Sequence, residues 1–301
     1  MDHATLEDLR TIVSHADCPD GIASALLLHD ALPDAQVIFL EHGTPEYAAL
    51  PAGSGMIFCD IAPPEGRADE FVAAGAVVLD HHRGARAVVE RFGARGVFAD
   101  ENREPGVSGA LLAYDRVWRL RKGEDAEVHR FAALTGVRDT WQTDHPEWDE
   151  ACAQATTLSF FGYDALSAQG PRLRESQREV GRRLVAERRA TAAETAAKKL
   201  FMLSPEVAIY NDRDRLLSDV ADHAFARVEA LAVVCGFHYK VTSDGRMLLV
   251  VAMRSRRGGV DVSAVAQRHG GGGHGSAAGF SLPVTAESPN PVETIREALA
   301  R

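Results

Sequence analysis

Long apolar runs are missing from this sequence. None approaches the roughly 20 residues that a membrane-crossing helix needs, which excludes a bilayer-spanning helix. Cysteine is scarce and dispersed: Cys18, Cys59, Cys152 and Cys235 show no CxxC spacing. They read as reduced thiols of a cytoplasmic protein, not as a disulfide frame or a zinc site, and Cys18 reads as a small packing residue. The opening MDHATLEDLRTI carries acids where a signal peptide carries bases, and no apolar segment follows, so the expected location is the cytoplasm. Positive charge is also in deficit, with 33 Lys and Arg against 43 Asp and Glu and a net charge of −10. That balance disfavours a protein that coats long duplex DNA. Short or small anionic substrates stay open, because a local positive pocket or bound metal ions can attract them. Neither an internal repeat nor a low-complexity tract is evident.

What is present is an alternation of short apolar strands and amphipathic helices. A chain of 301 residues suits two domains. TIVSHA (11–16), AQVIFLEH (35–42), GMIFCDI (55–61) and AVVLD (76–80) read as strands bounded by Gly, Pro and Asp. DGIASALLLHDAL (20–32), RADEFVAAG (67–75), SGALLAYDRVWRLRK (108–122), DAEVHRFAALTGV (125–137) and a segment over 147–160 read as helices. This strand–helix repetition predicts an α/β fold, a mostly parallel sheet with helices on both faces. Residues 172–202 form a charged connecting helix, either a solvated spacer or a basic wall facing nucleic acid. A smaller α/β domain occupies 203–301, which leaves 1–171 as the first domain.

In open parallel sheets, functional residues collect beyond the carboxyl ends of the strands. SHADCPDG places His15, Asp17 and Asp20 there, FCDIAPP places Asp60, and VVLDHHRG places Asp80, His81 and His82. The helix ending in GVRDTWQTD offers Asp139. Each has an ordinary alternative: Asp17 or Asp20 as a helix cap, Asp60 and Asp139 as turn residues, the histidines as solvated loop residues. Four such ends on one sheet edge, with imidazoles among them, point instead to metal. Carboxylate and imidazole without thiolate suit hard-to-borderline ions such as Mn²⁺. More than four candidate ligands suit two ions sharing a bridging carboxylate, about 3.5–4 Å apart, an arrangement that serves displacement at phosphorus.

The second signal is QRHGGGGHGSAAGF (267–280). Gly270 to Gly273 remove side chains, so backbone N–H groups can close on an anion, and His274 adds a donor. A flexible hinge is the alternative. Arg254 and Arg256 alternate at the end of an apolar strand and are expected to point the same way as phosphate-binding forks, with Arg257 facing solvent. The expected substrate-binding group is therefore Arg254, Arg256, Gly271, Gly272, Gly273 and His274.

These motifs resemble the DHH phosphoesterase superfamily in its two-domain DHH plus DHHA1 form. HADCPDG corresponds to its first motif, CDIAP to its second, LDHH to its third and RDT to its fourth, and GGGGHGSAAG resembles the DHHA1 signature. Related activities include RecJ-type single-strand exonucleases, nanoRNases, adenosine 3′,5′-bisphosphate phosphatases and cyclic (di)nucleotide phosphodiesterases. The resemblance implies two Mn²⁺ ions per chain, with Mg²⁺ or Co²⁺ as substitutes. It places His15, Asp17 and Asp60 on one ion and Asp20, Asp60, His81 and Asp139 on the other, with Asp60 as the bridge. His82 lies at the scissile phosphate as a catalytic residue, and Asp80 orients an imidazole. The first motif departs from the common H-x-x-x-D-x-D and carries one residue more than H-x-D-x-D-G, so which ion Asp17 and Asp20 each serve stays open.

The resulting expectation is a Mn²⁺-dependent phosphodiesterase of short single-stranded RNA or DNA, of the nanoRNase type, whose second domain holds the far end of the substrate. A cyclic (di)nucleotide phosphodiesterase or a bisphosphonucleotide phosphatase is the alternative within the enzyme class, and a non-catalytic nucleotide sensor the alternative outside it. A homodimer is an open possibility. A membrane or long duplex DNA is not an expected partner.

Overall fold

The computed structural model describes residues 6–16, 18–100, 103–242, 245–256, 258–286 and 290–300, apart from the side chains of His274 and Ala300. The chain divides into two compact units, 1–185 and 186–301. The division falls within the long helix Glu175–Lys198.

The first unit holds a five-stranded, all-parallel sheet. Its strands are β1 (Thr11–His15), β2 (Gln36–Leu40), β3 (Met56–Cys59), β4 (Val77–Asp80) and β5 (Gly96–Phe98), in the order β2-β1-β3-β4-β5. The apolar strands alternate between two cores. Ile12, Ile57 and Leu79 pack on one face with Leu26, Leu27, Ala110 and Phe131, while Val13, Phe58 and Val78 pack on the other with Phe71 and Val88. A parallel sheet buried on both faces is why these strands read as continuous apolar runs. On the first face lie α1 (Pro19–Ala31), buried along most of its length, α3 (Gly109–Ala113), α4 (Ala126–Asp139) and α5 (Trp148–Leu166). On the second lies α2 (Ala68–Ala73), whose Phe71 meets Phe58 edge to face at 5.2 Å.

Two expected helices are interrupted. The segment over 108–122 passes through a π-helical turn at Tyr114–Trp118, and α5 runs on to Leu166 across a break at Gly162, where φ is 71°. The long helix, α6 (Glu175–Lys198), carries arginines that are already matched to acids. Arg182 bridges Glu175 and Glu179, and Arg178 pairs with Glu150. Those pairings suit a solvated spacer better than a basic wall.

The second unit is a mixed six-stranded sheet, β10-β11-β9-β8-β7-β6, built from β6 (Phe201–Ser204), β7 (Val207–Asn211), β8 (Val233–Val241), β9 (Met247–Ser255), β10 (Gly272–His274) and β11 (Ala277–Pro283). Only β7 and β8 pair in parallel; the other pairings are antiparallel. Helix α7 (Leu217–Arg227) packs on one face with Ala208, Tyr210 and Val234. Helices α8 (Val262–Arg268) and α9 (Pro291–Ala300) pack on the other with Cys235, Val251 and Phe280. Among the described residues no helix is long and apolar enough to cross a membrane.

Candidate metal centre

The strand register assembles the site. Ser14 lies opposite Cys59 and Cys59 opposite Leu79, so the next positions, His15, Asp60 and Asp80, form a row along the carboxyl edge of the sheet. β1 neighbours both β2 and β3, which makes the β1–β3 boundary the point where the strand order reverses and a crevice opens. His15 and Asp60 stand on either side of it.

Asp60 is fully buried and has a left-handed backbone, with φ 62°, held by its N–H donating to Leu79 O at 3.1 Å. Its Oδ1 accepts from His81 Nε2 at 3.1 Å, while Oδ2 faces His15 Nδ1 at 3.7 Å, too long for a hydrogen bond. That same His81 Nε2 lies 3.5 Å from Asp20 Oδ2 and 3.5 Å from Asp139 Oδ2. Three carboxylates from three different elements thus surround one imidazole nitrogen.

Asp20 sits in the first turn of α1, and its carboxylate is anchored by another helix. Oδ2 accepts the Gly109 N–H at 2.7 Å and Oδ1 the Ala110 N–H at 2.8 Å, at the start of α3, which Ser108 caps. A side chain at position 109 would not fit, since its Cβ would lie 2.6 Å from Asp60 Cβ. Asp80 Oδ1 accepts both the His82 N–H, at 2.9 Å, and its ring Nδ1, at 2.8 Å. The His82 ring, with 32% side-chain exposure, is thereby held in place through its Nδ1.

The charges are unevenly matched. Burial pushes the Asp60 carboxyl up, but His15, His81 and His82 outweigh it and hold it well below the usual carboxylate range. Burial and the Asp60 charge push Asp20 up to about 7, against the pull of His81. His81 is driven well above its ordinary value, since bonds to Asp20 and Asp60 overcome its burial. For His82, burial lowers the value, but Asp80 and Asp60 raise it to about 9. Burial and the carboxylates of Asp60, Asp139 and Asp20 also raise the Cys18 thiol. A divalent cation is the counter-charge that would let the carboxylates ionise together.

The donor set fits such a cation. Both ring nitrogens of His15, Asp60 Oδ2 and Asp80 Oδ2 are buried without a hydrogen-bond partner, an arrangement proteins rarely tolerate without a ligand or ion. Three groups each bring one donor atom per residue within 4.8 Å of the others: His15 with Cys18 and Asp60; Asp60 with His81 and His82; Asp20 with His81 and Asp139. His15, Asp20, Asp60, Asp80, His81, His82 and Asp139 therefore converge. Asp17 lies outside the described residues, as do the His274 side chain and Arg257.

Two expectations need correction. Arg254 and Arg256 do not form a pair of like-facing forks. Arg254 donates Nε to Ser218 Oγ at 3.0 Å, on the α7 face of the sheet. Arg256, past the end of β9, donates to the carbonyls of Leu231, Phe225, Val228 and Glu229 and lies over the Phe225 ring. It closes the carboxyl end of α7, where cations are favoured, and its Nε and Nη2 donate there. Cys18, expected to be a packing residue, belongs to none of the apolar cores and lies beside His15 and Asp60 instead. In the glycine run, Gly270 and Gly273 take left-handed φ values of 72° and 135°, and a Cβ at Gly271 would strike Gly279 O at 2.1 Å. The run is thus a close-packed hairpin and not a slack hinge.

Neighbouring groups were missed in the sequence. Glu41 Oε1 lies 3.5 Å from His15 Nε2, and the His42 ring meets that of His15 at 5.6 Å. Their signal was present: FLEH ends a strand in acid and imidazole, as VLDH does. Ser108, Gly109 and Ala110 left no comparable chemical signal.

Residues 217–301 match the DHHA1 domain family. In structure the whole chain is similar to the pGpG-specific phosphodiesterase PggH from Vibrio cholerae, with a TM-score of 0.54, 12% identity and 97% of each chain covered. It is also similar to the DHH domain of a member of the s1p family of ribosomal proteins, with a TM-score of 0.63, 12% identity, and 99% and 86% of the two chains covered. Residues 217–301 thus form a DHHA1 domain, and the chain shares the fold of these structures. A third similar structure is RecJ from Thermus thermophilus in complex with Mn²⁺, with a TM-score of 0.56 and 17% identity. There 99% of this chain is covered, and it spans only 53% of RecJ. No curated protein matches it by sequence.

Proposed function

We propose that the protein is a divalent-metal-dependent phosphodiesterase that hydrolyses very short oligonucleotides, with Mn²⁺ as the working ion. The observation that carries this reading is the placement of His81 Nε2 within 3.5 Å of carboxylate oxygens from Asp20, Asp60 and Asp139, beside a His15 whose ring nitrogens have no hydrogen-bond partner. His15, Asp17 and Asp60 would hold one ion, and Asp20, Asp60, His81 and Asp139 the other. When bound, such a pair supplies a water of lowered pKa and neutralises charge on the phosphoryl oxygens.

The remaining work falls to side chains. Asp60 ties the two ligand sets together from a rigid, strained backbone. Gly109 and Ala110 hold Asp20 in place through their N–H groups. Asp80 orients the ring of His82, whose raised proton affinity keeps it charged near neutrality, so it can donate a proton to the departing oxygen. Arg254 and the glycine hairpin of the second unit are assigned to substrate binding in the same reading.

A short substrate is favoured by the net charge of −10, which leaves few cations to follow a long strand. The likeness to a pGpG-specific phosphodiesterase over 97% of both chains also favours it. The test is a product-resolved panel of pApA, pGpG, five-nucleotide RNA and DNA, adenosine 3′,5′-bisphosphate, cyclic-di-AMP and cAMP, with Mn²⁺ and with EDTA. The reading expects the linear dinucleotides and short RNA to turn over, with EDTA abolishing the reaction. Turnover of the cyclic nucleotides alone, or none with any ion, would contradict it.

A further inference from the structure

Cys18 is the N-cap of α1, and the Gly21 N–H in the first turn of that helix favours its thiolate form. It is half-buried and absent from the apolar cores that hold Cys59 and Cys235, so apolar packing does not account for it. Its sulfur lies within 4.8 Å of a His15 nitrogen and an Asp60 oxygen. Asp60 is fully buried, and its Oδ2, on this side of the cluster, has no hydrogen-bond partner. The 3.7 Å between His15 Nδ1 and Asp60 Oδ2 matches the roughly 3.5 Å that separates two ligands of a tetrahedral ion whose bonds are about 2.0–2.3 Å long.

We propose that Cys18 is a ligand of the ion held by His15 and Asp60, giving that position a nitrogen, sulfur and oxygen donor set. On binding, the thiol releases its proton to solvent as the sulfur–metal bond forms. The inference rests on the reading above that His15 and Asp60 hold a divalent ion, and goes beyond it in the kind of ion selected. A thiolate favours borderline cations such as Zn²⁺, Co²⁺ or Fe²⁺ over Mn²⁺. The other position, with Asp20, Asp60, His81 and Asp139, offers oxygen and one imidazole and keeps the hard-ion preference. The two positions therefore differ in metal preference.

The test uses the full chain, stripped with chelator and titrated with Co²⁺ while absorption is recorded. The proposal expects a thiolate-to-cobalt charge-transfer band in the near ultraviolet. The band persists in Cys235→Ala and disappears in Cys18→Ser. Zn²⁺ affinity in Cys18→Ser falls by at least the roughly 10–100-fold that loss of a supporting residue costs a metal site, while Mn²⁺ affinity at the other position is retained. X-ray absorption at the zinc edge of the wild-type chain, which needs no variant, then shows one sulfur neighbour at about 2.3 Å. Cobalt bound without a sulfur band, or a band surviving in Cys18→Ser, overturns the role of Cys18 and leaves the phosphodiesterase reading intact. A chain that binds neither cobalt nor zinc nor manganese overturns both.

Discussion

Asp60 holds a left-handed backbone that costs a non-glycine residue about 1–3 kcal/mol, and such strain persists only where the surroundings enforce it. Here the enforcing contacts are its N–H bond to Leu79 O and the hydrogen bond that its carboxylate accepts from His81. Asp60→Asn keeps the shape and removes the charge both ion positions share. Calorimetric titration should then show no high-affinity Mn²⁺ binding, and turnover should be lost with it. His82→Ala should behave differently, lowering kcat by about 10²–10⁴ while KM and Mn²⁺ affinity stay near wild type. Equal loss of Mn²⁺ affinity in His82→Ala would move it from proton transfer into the ligand set. These residues were legible in the sequence because each ends an apolar run with an acid or imidazole. Glu41 and His42 end one too, but their relevance depends on β2 lying beside β1, a neighbour relation that the linear order of strands does not contain.

At the scale of elements, the site depends on a close helix approach. The start of α3 reaches the sheet only because position 109 has no side chain. Gly109→Ala should cost about 1–3 kcal/mol in denaturant unfolding and weaken metal binding together, because the added methyl presses on Asp60 and Asp20 at once. Phe71→Ala, on the opposite face of the sheet, should cost about 3–5 kcal/mol and leave metal affinity in the folded protein unchanged. Arg256 supplies a contrast in the second unit. Arg256→Ala leaves carbonyls at the end of α7 unsatisfied and should lower stability by about 1–3 kcal/mol with little change in KM. A large rise in KM at unchanged stability would restore it as a phosphate fork. Four of the first unit's strands and its main helices were readable from apolar periodicity, whereas the short edge strand β5 was not, and α5 runs six residues past its expected end. The direction of Arg256 was not, because strand alternation stops applying once the chain leaves β9 at Ser255.

For the whole molecule, buried carboxylates gathered at one sheet edge make stability depend on cations. A chelator-treated sample should melt at lower temperature than one with Mn²⁺, and saturating ion at about 100 times its Kd should add about 2.7 kcal/mol. Two domains and a parallel sheet followed from length and strand–helix alternation. The mainly antiparallel second sheet was harder to foresee, because its hairpins β6–β7, β8–β9 and β10–β11 are interleaved with helices in an order that reads as α/β.

Anomalous scattering from crystals soaked in manganese tests the central claim most directly. The account predicts one peak bounded by His15 and Asp60 and a second bounded by Asp20, Asp60, His81 and Asp139. Diffraction that shows neither peak, with these side chains ordered as they are here, would contradict it.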